Sequence, residues 1–373
     1  MRQAAIILGL AIWTISGFSQ NFRKVDRFVH QISKKDIVSV DTLRMLIENS
    51  FSREPDRLRA IYGWICSNIT YDIDRMANPL SYSSDSAVRG TLSKRKAICS
   101  GYVDLFIAIS RELGIKAHYI SGYTMQNGVV VDLEHAWVAA RLANGQWKLF
   151  DPTWGASEWV NGELVKRVSY DYFMVEPVEF IKTHMPFDPM WQLLYQPIKT
   201  DEFYGQKLSK DDDYLFNYND TIRDYQVLSE SRMFSNLMRR MEWAGIKNEA
   251  AKRYFSMTEK YYHLALQSEE QAQRDLWLYA FDQQTKNYRT SLEMYEQLKG
   301  LLGDYKQRGV SVEQLIYSST VLIRHTDDCL AALSKLRTDK YADVELLDGL
   351  KDKVEKIFDL VKNQNISVRR LEK

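Results

Sequence analysis

His135-Ala136-Trp137-Val138-Ala139-Ala140-Arg141-Leu142-Ala143-Asn144-Gly145-Gln146-Trp147-Lys148-Leu149-Phe150-Asp151 reads as two extended segments joined by a short turn. Strand register depends on how many residues that turn takes. A two-residue Asn144-Gly145 turn pairs Val138 with Asp151 and sends His135 and Asp151 to opposite faces. A three-residue Ala143-Asn144-Gly145 turn, with glycine at the bulge, pairs Leu142 with Gln146 and Trp137 with Asp151. His135, Trp137, Leu149 and Asp151 then share a face. His135 and Asp151 become diagonal neighbours about 7–8 Å apart at the backbone, within side-chain reach. The tripeptide suits the second register, so a base and an orienting acid are expected side by side.

Upstream of the hairpin, Lys96-Ala97-Ile98-Cys99-Ser100-Gly101-Tyr102 runs from a loop into a helical pattern. Tyr102, Leu105, Phe106, Ile109 and Leu113 follow helical spacing, and Gly114 ends it. Cys99 thus stands in the first turn of a helix, where unpaired N–H groups and a partial positive charge favour a thiolate. Nucleophile, base and acid occur in the order Cys99, His135, Asp151. That set suits acyl chemistry, with Cys99 attacking an amide carbonyl, His135 moving the proton and Asp151 fixing the ring's tautomer. The Cys99 backbone N–H is one oxyanion donor. No glutamine lies between Tyr71 and Cys99 to be a second, which leaves Ser93 or a loop amide.

Cys-Ser-Gly-Tyr before an apolar helix, Ser121-Gly122-Tyr123, His135-Ala136-Trp137 and Asp151-Pro152-Thr153-Trp154-Gly155 together resemble the transglutaminase-like superfamily. The likeness is nearest to its kyphoscoliosis-peptidase and cytokinesis-protein branch and covers roughly residues 55–160. It implies a papain-like α+β core with a helix-borne cysteine and antiparallel strands bearing the histidine and aspartate. It assigns Cys99, His135 and Asp151 the same three roles. Ala97 departs from the pattern, since many relatives carry glycine there.

The rest of the chain divides in two. All seven prolines lie at or before Pro197, and the long proline-free remainder predicts an all-α second domain. Helices are expected over 248–266, 273–298, 312–336 and 344–360. Tyr254, Tyr261, Tyr262, Tyr279, Tyr288 and Tyr295 are expected in the core of that bundle. The boundary falls near 198–210, giving a transglutaminase-like domain over 20–200 and a helical domain over 201–373. In the first half, 25–47 and 57–68 read as helices, 78–95 as a polar loop, and 117–123, 135–142 and 146–151 as strands.

Arg2, the apolar stretch Ala4 to Ile15 and the small residues Gly17 and Ser19 read as an export signal over 1–19, cleaved before Gln20. A retained N-terminal anchor is the competing reading, although the stretch is short for a membrane span. A periplasmic or extracellular protein with no stable span after processing is expected. A formal net charge of +1 and no basic run longer than Lys94-Arg95-Lys96 exclude a nucleic-acid footprint. Cys66 and Cys329 sit in apolar helical stretches and read as small buried hydrophobes. His118 reads as structural. His30, His184, His263 and His325 show no metal-ligand spacing, so neither metal nor cofactor is expected. Trp137, Trp147 and Trp154 are expected to wall the site and core. The partners expected are a peptide or protein substrate and, through the helical domain, another protein. The function expected is amide hydrolysis or acyl transfer through a thioester. The competing reading is a silent transglutaminase-like scaffold that binds a protein.

Overall fold

The computed structural model describes residues 13–32, 37–77, 84–161, 163–205, 215–305 and 309–370. Residues 1–12 of the expected leader and 206–210 of the expected domain boundary lie outside them. In chain order the elements are α1 (Trp13–Gln31), α2 (Val40–Ser50), α3 (Glu54–Asn68), β1 (Thr70–Tyr71), α4 (Ile73–Ala77), α5 (Ser84–Lys94), β2 (Lys96–Ala97), α6 (Cys99–Glu112), β3 (Lys116–Gln126), β4 (Val129–Arg141), β5 (Trp147–Phe150), β6 (Ser157–Val160) and β7 (Glu163–Lys166). There follow α7 (Pro177–Phe180), β8 (His184–Pro186), a 3-10 turn (Pro189–Gln192), α8 (Thr200–Phe203), α9 (Tyr218–Tyr225), α10 (Glu230–Ala244), α11 (Glu249–Asp304), α12 (Val312–Leu336) and α13 (Val344–Arg369).

The chain forms two compact units, Met1–Tyr262 and His263–Lys373. In the first, a four-stranded sheet of order β5-β4-β3-β8 is antiparallel throughout. Alternation along β4 separates two cores. Ala136, Val138, Ala140 and Phe150 face α3 and α6, among Leu58, Ile61, Trp64, Ile65, Tyr102, Phe106 and Ile109. Trp137, Ala139, Trp147 and Leu149 face the other way, onto Phe180, Met190, Leu193 and Ile222. All five apolar positions read along the Cys99 helix are buried. This is a mixed papain-like α+β core.

The unit extends past the compositional change near residue 200. Phe203, Leu237, Met241, Ala250 and Ala251 bury themselves against Tyr123, Met185 and Phe187, so these helices cover the sheet. In the second unit, Trp277, Cys329, Leu333, Leu347, Leu350 and Val354 form one core cluster, and Leu298, Leu315, Leu322, Ile357, Val361 and Val368 another. Both join three helical segments.

Several local expectations need correction. The helix expected over 25–47 is two, because Ser39 caps α2 by accepting from the Thr42 N–H. Residues 84–94 form α5, although a polar loop is expected there. The two helices expected over 248–266 and 273–298 are one 56-residue helix that also runs through Gly300 and Gly303. The polar linker between them contains no proline or glycine to stop it. Tyr261 and Tyr279 are exposed, while Tyr288 and Tyr295 pack in the bundle core.

Gly122 is where β3 takes β8 as a neighbour. A Cβ there would stand 2.2 Å from the Met185 carbonyl oxygen and 2.4 Å from the Trp137 ring. Neither can yield cheaply, since one is backbone and the other is a buried indole. Gly122→Ala is expected to cost about 2 kcal/mol or more through overpacking. Chemical denaturation checks this, with a lowered midpoint and an unchanged denaturant slope expected.

Candidate active site

The turn after β4 takes three residues. Leu142 N–H donates to the Gln146 carbonyl, Gly145 N–H donates back to Leu142, and Gly145 adopts φ +86°. The ladder pairs Val138 with Phe150, Ala139 with Leu149, Ala140 with Lys148 and Arg141 with Trp147. One step further sets Trp137 against Asp151, the register read from the tripeptide. His135 and Asp151 meet, with His135 Nε2 donating to Asp151 Oδ2 at 2.7 Å.

Asp151 is wholly buried, yet every approach to its carboxylate is occupied by a donor. Oδ1 accepts the backbone N–H groups of Thr153 at 2.8 Å and Trp154 at 3.0 Å. The Asp-Pro-Thr-Trp sequence supplies this turn, in which a short acidic side chain caps the amides just ahead of it. Oδ2 accepts from His135 and also from His184 Nε2 at 3.2 Å. The backbone is held as well: Asp151 N–H donates to Tyr172, and its carbonyl accepts from Gly155 N–H and the Tyr62 hydroxyl. A buried charge is tolerable only when it is paired and bonded in this way.

Cys99 is the first residue of α6, half-buried, with Ile98 as an N-cap that offers no side-chain bond. Because His135 Nε2 is engaged by Asp151, Nδ1 is the ring nitrogen left over, and Cys99 is close enough to add to the proton affinity of the imidazole. Burial disfavours charge on His135. The Asp151 carboxylate, through its charge and its hydrogen bond, outweighs that, Cys99 adds to it, and the imidazole is raised to about 10. Burial likewise opposes the Asp151 charge, but His135 and then His184 hold that carboxyl far below the usual carboxylate range. The structure therefore bonds His135 directly to Asp151 and sets Cys99 near the imidazole.

The other cysteines differ in kind. Both are free thiols. Burial pushes the Cys66 thiol far up, and its Sγ donates to the Pro152 carbonyl. Burial raises Cys329 to about 11. Ser93 lies on α5 with its hydroxyl donating to the Gly90 carbonyl. His118 packs between Trp147 and Trp191, and burial lowers it to about 4. Trp154 and Trp137 flank His135, with ring centroids at 5.8 and 6.2 Å, whereas Trp147 belongs to the His118 cluster. A separate cavity of about 550 Å³ is lined by Pro189, Phe216, Tyr225, Arg239 and Trp243. None of Cys99, His135 and Asp151 borders it.

His184, read along the sequence only as lacking metal-ligand spacing, joins the site through Asp151. Its ligand-type nitrogen, the Asp151 oxygen and the His135 nitrogen lie within 4.8 Å of one another, a grouping a metal ion could use. The hydrogen bonds of both imidazoles to Oδ2 account for the cluster without one. Only the alternation in His184-Met185-Pro186, too short to read as a strand, could have placed this histidine beside β3.

This cysteine, histidine and aspartate, carried on a helix start and two adjoining strands, define a transglutaminase-like core. Residues 44–152 match the transglutaminase-like superfamily. Kyphoscoliosis peptidase of Homo sapiens is 29% identical over 205 residues, covering 52% of this chain and 30% of that protein. The Lim and transglutaminase domain protein ltd-1 of Caenorhabditis elegans is 27% identical over 203 residues, 49% of this chain and 27% of its own. Hillarin of Drosophila melanogaster is 25% identical over 204 residues, 49% of this chain and 24% of its own. The chain thus spans less than a third of the length of each of these relatives.

The pair's titration sets a pH signature. His135, raised in the folded state, adds stability that is complete below its ordinary value of 6.5 and lost as pH rises through about 10. Asp151, depressed, adds stability that is present above about pH 4 and lost on strong acidification. The difference in unfolding free energy between wild type and Asp151→Asn is therefore expected to shrink steadily from pH 6.5 to 10. Urea denaturation at fixed ionic strength across that range measures it.

Proposed function

We propose that this chain is an exported cysteine enzyme that cleaves or transfers amide-linked acyl groups of peptides or proteins through a thioester on Cys99. The supporting observation is the directionality of His135: Nε2 is fixed on Asp151 at 2.7 Å, so Nδ1 is left to exchange a proton with the thiol. In the first step His135 takes the Cys99 proton at Nδ1, leaving an imidazolium beside a thiolate. The thiolate attacks the carbonyl carbon, and the carbonyl π electrons move to oxygen. N–H groups at the start of α6 receive that oxyanion. As the tetrahedral centre collapses, the C–N bond breaks and Nδ1–H protonates the departing nitrogen.

The thioester is then attacked by water or by an amine. Neutral His135 takes the nucleophile's proton at Nδ1, and the C–S bond breaks to restore the thiolate and imidazolium. Asp151 stays anionic throughout and keeps Nε2–H pointed at itself, so the correct tautomer persists in both halves. The word peptidase in the name of one relative supports hydrolysis as the first reaction to assay. The helical second unit is the surface offered to a protein partner. Among the described residues no helix is long and apolar enough to cross a membrane.

Two experiments test this. Alkylation of the full chain with iodoacetamide at pH 6, read by peptide mass spectrometry, is expected to label Cys99 and spare buried Cys66 and Cys329. His135→Ala is expected to slow Cys99 labelling by roughly tenfold or more, and an equal rate would overturn the triad. For export, expression with the native N-terminus in a Gram-negative host is expected to yield a periplasmic chain beginning at Gln20. A cytoplasmic chain that keeps Met1 would reject the leader.

A further inference from the structure

We infer that His184 is a positioning residue for the proposed triad, donating to the same Asp151 oxygen that receives His135 and thereby fixing the plane of the carboxylate. This rests on the triad reading given above. An aspartate turns broadly about its last side-chain bond. Two amides hold Oδ1, but His135 alone on Oδ2 would have to hold the carboxylate while itself changing charge during turnover. His184 supplies a second, constant donor on that oxygen at 3.2 Å.

The surroundings permit one arrangement of the His184 proton. Its Nδ1 lies 2.8 Å from the Thr183 hydroxyl, and that hydroxyl lies 3.5 Å from the Phe180 carbonyl. If Nδ1 carried the proton, a bare Nε2 would face a carboxylate oxygen, acceptor against acceptor. With the Thr183 O–H donating to Nδ1, Nε2 carries the proton and donates to Asp151, and every group is satisfied. Aromatic rings close the remaining sides. Phe180 stacks on the imidazole with centroids 4.0 Å apart, Trp154 lies at 4.5 Å, and Trp137 meets it edge-on at 5.2 Å. Within this casing, burial lowers the proton affinity of His184 below the ordinary imidazole value. With its Nε2–H on Asp151 and its Nδ1 on Thr183, it is placed to orient the carboxylate.

The backbone is arranged for this delivery. β8 pairs with β3 at Gly122–Pro186, Tyr123–Met185 and Thr124–His184, while Gly122 pairs with His135 on the other side. The missing Cβ of Gly122 lets β8 come close enough. Two histidines on strands flanking β3 thus converge on one oxygen.

The test measures the pH dependence of Cys99 alkylation by iodoacetamide in wild type, His184→Phe, His184→Gln, Thr183→Val and His135→Ala, with near-UV circular dichroism confirming folding. His184→Phe keeps a stacked ring and removes the donor. The half-maximal pH is expected to rise by about one unit, slowing the reaction about tenfold at pH 6. His184→Gln returns an amide N–H near the Nε2 position and is expected to recover most of the rate. Thr183→Val, which frees the tautomer, is expected to move the profile in the same direction by less. It carries the test if His184→Phe does not fold.

A merely structural histidine would lower the melting temperature and leave the profile in place. Coincidence of the His184→Phe and Thr183→Val profiles with wild type, while His135→Ala shifts, would overturn the inference and leave the triad standing. Coincidence of all the profiles, His135→Ala included, would overturn the triad and the inference with it.

Discussion

A carboxylate in the interior, Asp151, is the constraint around which the first unit is arranged. A bare anion there would be prohibitively costly, so the chain must bring donors to it from several directions. Thr153 and Trp154 come from the turn it begins, His135 from β4 and His184 from β8. The strand register, the close β3–β8 approach at Gly122 and the cap-like Asp-Pro-Thr-Trp turn each meet that electrostatic demand. The same demand gives His135 its raised proton affinity. The property that suits it to proton transfer is thus a by-product of neutralising a buried charge.

The three cysteines illustrate how position decides chemistry. Cys66 and Cys329 sit in apolar surroundings where burial raises the thiols. In such places cysteine packs as a small hydrophobe. Cys99 opens a helix beside an imidazole and stays half-buried, within reach of a molecule arriving from solvent. Identical side chains acquire different roles because the fold gives them different dielectric surroundings and partners.

Much of this could be read along the chain where the information is local. The Cys99 helix is announced by its apolar spacing, and the β4–β5 register by Ala143-Asn144-Gly145, because turn length and side-chain alternation act over a few residues. The same locality explains what was missed. His184 lies 33 residues from Asp151 on a three-residue strand, and only tertiary pairing with β3 brings it near. Residues 84–94 are too polar to show a helical face, yet they wind into α5 beside the cysteine helix. The stretch between 266 and 273 lacks apolar periodicity but also lacks any breaker, so α11 continues through it. Periodicity reports which face is buried, whereas continuity depends on breakers alone.

In the sheet order β5-β4-β3-β8, Asp151 follows one outermost strand and His184 opens the other. Three strand spacings would hold such backbones about 14 Å apart in a flat sheet. The Asp151 and His184 side chains reach across that interval to share a hydrogen bond at 3.2 Å, and the bond works as a clasp between the two margins. The clasp does not involve the sulfur of Cys99. A descendant that exchanged Cys99 for an inert residue would lose the chemistry and keep the closure, and selection on folding alone would still preserve the aspartate and both histidines. An intact histidine–aspartate pair in such a lineage would therefore record the architecture of the fold, and the cysteine alone would record whether catalysis survives.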